Sequence, residues 1–170
     1  MIGALALLLL APSETFPDPI GPAAEGKLQC HRPDRARRTC QSLAGYRPDG
    51  KGGFLNDAEV LLAPNSPMVM RSVTPVVIRD HAVCGSLTRK SLAEAVFLED
   101  GTPVEPDQAE RVRGLLAHDR EAIFDREICT RYQPEGDHLR ATATLDGEST
   151  DWRPMQVIWV RPDEGYRVAH

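Results

Sequence analysis

The run Leu139-Arg140-Ala141-Thr142-Ala143-Thr144-Leu145 alternates apolar and polar positions without a break. A period of two predicts a strand with one face on a core and the other in water. Gln156-Val157-Ile158-Trp159-Val160 is apolar on both faces and rich in β-branched and aromatic residues, which predicts a more central strand covered on two sides. Ile128 to Tyr132 precedes the alternating run, with Gln133-Pro134-Glu135-Gly136 as the reversal between them. Two further hairpins follow from turn residues between apolar runs. Glu59–Ala63 and Met68–Val73 flank Pro64-Asn65-Ser66-Pro67, while Val76–Arg79 and Ala82–Cys84 flank Asp80-His81. Pro75 cannot donate to a ladder and places its run at an edge or a bulge. Thr39 to Tyr46, with Cys40, Ser42, Ala44 and Tyr46 on one face, is expected to be an edge strand that ends in the turn Asp49–Gly53. A small β-excursion about Glu99-Asp100-Gly101 and a last strand at Tyr166–Val168 complete the strands.

Helical spacing occurs in one long stretch. Pro106 suits a first helical position, and Ala109, Val112, Leu116 and Ile123 form one stripe, predicting a helix over about 106–125. Gly114 weakens it by about 1 kcal/mol relative to Ala without overturning the pattern. Thr88 is a cap for a short helix of two turns at most, with Ser91 and Glu94 offering a second capping box. The expected fold class is therefore α+β, a mainly antiparallel β-sheet with one long and one short helix. One domain over 30–170 suits a chain of 170 residues with a single composition regime.

The first residues change the picture of where this domain works. Ile2 to Ala11 is a continuous apolar run ended by Pro12, too short to span a bilayer and of the length of a signal-peptide core. Small residues at Ala11 and Ser13 place cleavage near Ser13, so residues 1–13 read as a signal peptide. The positive flank is supplied by the amino terminus alone, because the first basic residue is Lys27. Residues 14–29, with Pro17, Pro19, Gly21, Pro22 and Gly26, read as a flexible leader. A periplasmic or extracellular address follows, with no membrane span in the mature chain. Cys30, Cys40, Cys84 and Cys129 then read as two disulfides. Spacing permits three connectivities. The pairing Cys30–Cys40 with Cys84–Cys129 is preferred, because the first two flank a short loop and the second two lie in apolar runs either side of the long helix, as neighbours in one sheet would.

A formal net charge of -5 argues against a general nucleic-acid binder. Within that acidic chain, Arg32, Arg35, Arg37 and Arg38 sit together with one acid, Asp34. The patch is a candidate anion-binding loop for an anionic envelope component, since guanidinium forks match phosphate and carboxylate, although a solvated loop is the plainer reading. Catalytic signatures are scarce. Cys84-Gly85-Ser86 overlaps the start of a papain-type nucleophile motif, but Leu87 stands where a second cysteine is required. No G-x-S-x-G motif occurs. His31, His81, His118, His138 and His170 are scattered without zinc spacing and read as surface histidines, and no acidic run has a calcium-loop register. No metal or cofactor is expected. His81, His118 and His138 each stand beside an aspartate, an arrangement that seldom makes one site in a turn. Trp159 reads as core and Trp152, between polar residues, as an open question.

The spacing Cys30-x9-Cys40, the segments Val83-Cys84-Gly85-Ser86 and Ile128-Cys129-Thr130-Arg131-Tyr132, and the closing Val157-Ile158-Trp159-Val160-Arg161-Pro162 with Gly165-Tyr166 resemble small uncharacterised exported proteins of proteobacteria. That resemblance implies no activity, cofactor or catalytic residue. The sequence thus points to an exported binding or structural domain of the cell envelope, more a non-enzyme than an enzyme, with a small secreted hydrolase as the alternative. The partner stays unnamed.

Overall fold

Residues 18–63 and 67–169 are described by the computed structural model; the expected signal peptide at 1–13, the start of the leader, most of the turn at Pro64–Pro67 and His170 lie outside them. In chain order the strands and helices are β1 (Leu28–His31), β2 (Thr39–Cys40), β3 (Ser42–Pro48), β4 (Phe54–Leu61), β5 (Met68–Arg79), β6 (Ala82–Ser86), α1 (Arg89–Ala93), β7 (Val96–Glu99), β8 (Thr102–Pro103), α2 (Pro106–Asp119), β9 (Glu127–Glu135), β10 (His138–Leu145), β11 (Glu148–Ser149), β12 (Met155–Val160) and β13 (Arg167–Val168). The mainly antiparallel sheet with two helices is present, and β-structure dominates.

The sheet closes on itself. β1, β3, β4, β5, β6, β9, β10 and β12 pair antiparallel in chain order, and β12 returns to β1 with Leu28 opposite Val160 and His31 opposite Val157. The result is an eight-stranded up-and-down barrel, of a size whose interior either fills with side chains or holds one small ligand. Closure overturns the edge-strand expectation for Thr39–Tyr46. Ser42–Pro48 is flanked on both sides by β1 and β4, while Thr39–Cys40 leaves the barrel to pair with β13 in parallel. Pro75 is tolerated for a local reason. β5 pairs with β7 up to Arg71 and with β6 from Val76, so the intervening stretch has β4 on one flank and no ladder on the other.

Turn chemistry sets the hairpins. Asp80 and His81 both have positive φ, at 49° and 60°, which matches a two-residue primed turn and the twist of the flanking strands. The reversal after β9 falls at Gly136 and Asp137, later than Gln133–Gly136, because β9 runs on through Pro134 opposite Leu139. Helix α2 ends at Asp119, short of the expected 125. A separate 3-10 turn, Glu121–Ile123, then swings Phe124 into the cluster of Leu92, Ala95 and Phe97.

Three packed regions result. At one end of the barrel Val76, Val83, Tyr132, Ala141 and Val157 enclose Ile20, delivered by the segment ahead of β1. At the other end α1, α2 and β7 pack through Leu92, Phe97 and Phe124 against Leu62, Met70 and Leu87. Outside the wall, Cys30, Cys40 and Val160 are covered by Leu43, Ile158 and Tyr166. Disulfides join Cys30 to Cys40 and Cys84 to Cys129, the latter pair directly opposed on β6 and β9.

Candidate binding site in the barrel interior

Strand alternation decides which side chains enter the barrel. Gln29 and His31 lie opposite Trp159 and Val157 on β12 and opposite Ala44 and Ser42 on β3, and the register carries that face round the ring through Asn56, Thr74, Val83, Thr130 and Ala141. Among the described residues, the inward positions of the eight strands include no Asp, Glu, Lys or Arg. Charges stand on the outward positions, as in the pairs Arg47–Asp57, Arg71–Glu59 and Arg79–Glu127. An interior without formal charge is consistent with the cost of removing an ion from water.

Four neutral polar groups nevertheless gather inside. The Tyr46 hydroxyl donates to Gln29 Oε1 at 2.8 Å, and Gln29 Nε2 donates to the Pro19 carbonyl at 3.5 Å, tying the segment that carries Ile20 into the barrel end. Tyr132 is within hydrogen-bonding influence of both Tyr46 and Gln29. His31 meets the Tyr132 ring edge-on, with centroids 6.3 Å apart and planes at 73°. Burial is the leading cause of every shift in this group. It pushes Tyr132 up to about 12, raises Tyr46 well above the usual phenol range, and lowers His31 to about 4. All four are uncharged at neutral pH.

His31 differs from the other three. Neither of its ring nitrogens is hydrogen-bonded to a described residue, yet no buried side-chain nitrogen or oxygen among those residues lacks a partner. Its nitrogens must therefore still meet solvent, although protein surrounds the ring closely enough to depress its pKa. Enclosure with residual accessibility is the property of a group that lines a concavity. Among the inward positions Ala44, Val76, Val83, Tyr132, Ala141 and Val157 are buried, whereas Tyr46, Phe54, Ile78, Leu139 and Met155, which pack against the Ile20 cluster, and Val60, Thr74, Ile128, Thr130, Ala143 and Leu145 keep accessible area. Ile20 closes one end of the interior, and His31 is among the inward positions that stay partly accessible.

A second concavity, of about 690 Å³, lies on the outer face between Lys27 and Glu94, with Leu28, Leu43, Val73 and Val96 as its apolar lining. The charged groups around it are matched, as in Arg47–Asp57 and Arg71–Glu59. The unmatched ring nitrogens of His31 lie instead on the interior face.

The residues singled out from sequence are dispersed. Arg35 is held by Asp137 at 3.1 Å and Arg37 by Asp34 at 3.6 Å, while Arg32 and Arg38 are exposed with positive φ of 49° and 52°. Cys84 is a half-cystine, so the Cys84-Gly85-Ser86 segment presents no thiolate. Glu127 comes close to the Cys84 and Cys129 sulfurs in a grouping that resembles a metal site, but the sulfurs bond each other and Glu127 accepts both arms of Arg79 at 2.9 and 2.7 Å. His138 corrects the expectation for histidines beside aspartates. Its Nδ1 faces Asp137 at 3.1 Å and its Nε2 faces Glu135 at 3.2 Å, and the His138 hydrogen bond, with Arg35 second, holds the Asp137 carboxyl below its usual range. His118 is exposed at the end of α2. Gln29, Tyr46 and the special position of His31 went unread in the sequence. The signal available was the alternation of Gln29 and His31 about Cys30, which is too short to be read as a strand. Comparison of the chain with protein-family models, with curated proteins and with solved structures finds no match.

Proposed function

We propose that this chain is an exported, disulfide-stabilised domain that binds a small, largely apolar molecule inside its barrel and does not transform it. The observation that carries the reading is His31, a desolvated imidazole inside a closed barrel with both ring nitrogens unmatched by protein and still reachable. Groups of that kind fix the orientation of a ligand in an otherwise apolar site. Two disulfides favour an oxidising compartment. No helix among the described residues is long and apolar enough to cross a membrane. The charged outward positions of the barrel are the reverse of the apolar outer band of a membrane barrel.

The alternative, a small secreted hydrolase, needs a thiol or hydroxyl activated by a histidine. All four cysteines are consumed in bridges, and both ring nitrogens of His138 face carboxylates. The binding reading is tested in a Trp152→Phe background, where Trp159 is the remaining tryptophan of the two in the chain. Titration with 1-octanol should give a saturable change in Trp159 emission, and Ala143→Phe, which adds bulk on the inward face opposite Thr130, should abolish it while the melting temperature stays within a few degrees. A non-saturating response in the parent, or an unchanged one in the filled variant, removes the interior as the site.

A further inference from the structure

Resting on the reading of the interior as a binding site, we infer that the barrel interior selects ligands that are electrically neutral, an apolar chain or ring carrying one hydroxyl, carbonyl or amide, and that His31 is the residue that recognises this polar end. The argument begins with what the interior lacks. With no Asp, Glu, Lys or Arg at the described inward positions, a bound carboxylate or ammonium would find no counter-ion. An ion left without a partner in such a site costs several kcal/mol, which offsets most of what the burial of a short hydrocarbon chain returns. Charging His31 to meet a carboxylate is opposed by the same burial that already holds the ring neutral.

The interior does offer neutral hydrogen bonding. An uncharged imidazole presents one N–H donor and one bare nitrogen acceptor, so it serves a hydroxyl, which both gives and takes, and a carbonyl, which takes. The three polar groups nearest it in the network are already engaged: Tyr46 donates to Gln29, Gln29 donates to Pro19, and Tyr132 shares their network, while the hydroxyls of Ser72, Thr74 and Thr130 also face inward. The His31 ring nitrogens have no partner among the described residues and keep accessible area. The inward face also carries small side chains, among them Ala44, Ala58, Ser72, Thr130 and Ala143.

The test uses one eight-carbon skeleton with four end groups, 1-octanol, 2-octanone, octanoate and octylamine, titrated into the Trp152→Phe protein at pH 7.5 and followed by Trp159 emission and calorimetry. The expected result is saturable binding of the alcohol and the ketone, with the two ions weaker by more than about tenfold. His31→Phe, which keeps a ring against Tyr132, should weaken the alcohol and ketone by about three- to tenfold, the worth of one hydrogen bond. His31→Gln should restore part of that loss. Octanoate or octylamine binding as tightly as the alcohol would overturn the ligand class while leaving the interior as the site. An unchanged alcohol affinity in His31→Phe would overturn the role of His31. Failure of all four probes to bind saturably would instead sink the interior site and this inference with it.

Discussion

At the scale of single residues, His31 makes the fold itself sensitive to acid. The unfolded chain takes up a proton near the ordinary imidazole pKa of 6.5, whereas the folded ring resists it until about 4. Between those values the unfolded state binds more protons, so stability is full above pH 6.5 and is lost as pH falls towards 4. The shift corresponds to on the order of 3 kcal/mol. Urea denaturation at pH 7 and pH 4 should show that loss in the parent and a much smaller one in His31→Gln; equal losses would place the acid sensitivity elsewhere. Gly85 carries a different constraint. It faces inward opposite Val76, and a Cβ there would lie 2.8 Å from Val76 Cγ1 and 3.0 Å from the Pro75 carbonyl. Gly85→Ala should cost about 1–3 kcal/mol in urea denaturation. Adding Val76→Ala should recover little of it, because the carbonyl belongs to the backbone and cannot withdraw.

Among elements, legibility followed the length of the pattern. β10 was readable because seven consecutive residues alternate, β12 because its run is β-branched and aromatic on both faces, and α1 because Thr88 is a cap, which Ser91 reciprocates at 2.9 and 3.1 Å. The end of α2 was not, since the stripe runs on to Ile123 in sequence while burial of Phe124 demands a bend before it. β1 failed for the opposite reason. Four residues, two of them polar and turned inward, carry no alternation strong enough to be seen. The same four residues hold the candidate site, which is why the site was less legible than the fold. Thr88→Ala should lower stability by about 1 kcal/mol through loss of the cap, measured by thermal unfolding, and should leave ligand probes unaffected. The Cys84–Cys129 bridge closes a segment of 45 residues that contains the whole helical excursion. Replacing both cysteines by alanine should cost about 4 kcal/mol on the chain-entropy account, against about 3 for Cys30 and Cys40. A smaller loss for the longer bridge would show that the excursion is held by its own packing.

For the molecule as a whole, the surface charge is more compensated than the sequence implies. Arg35 and Arg37 are each matched by an acid, whereas Arg32 and Arg38 have no ion pair among the described residues. Any retention on anionic vesicles at low salt should therefore fall more on replacing Arg32 and Arg38 with glutamine than on replacing Arg35 and Arg37. Equal effects would mean that the acids yield to the polyanion. Exposed pairs contribute little to folding, so neither variant should shift the melting temperature appreciably.

The pairing of β1 with β12 has a kinetic meaning. The strand that opens the barrel and the strand that shuts it are separated by more than a hundred residues of chain, so the ring cannot be completed until almost the whole polypeptide is available. Until then β1 and β10 present unpaired edges, which invite pairing between molecules. A chain halted before Met155 should aggregate instead of forming a smaller barrel. Supplying Met155–Val160 as a separate segment should rescue it, with the missing stave inserted between two strands that already wait for it.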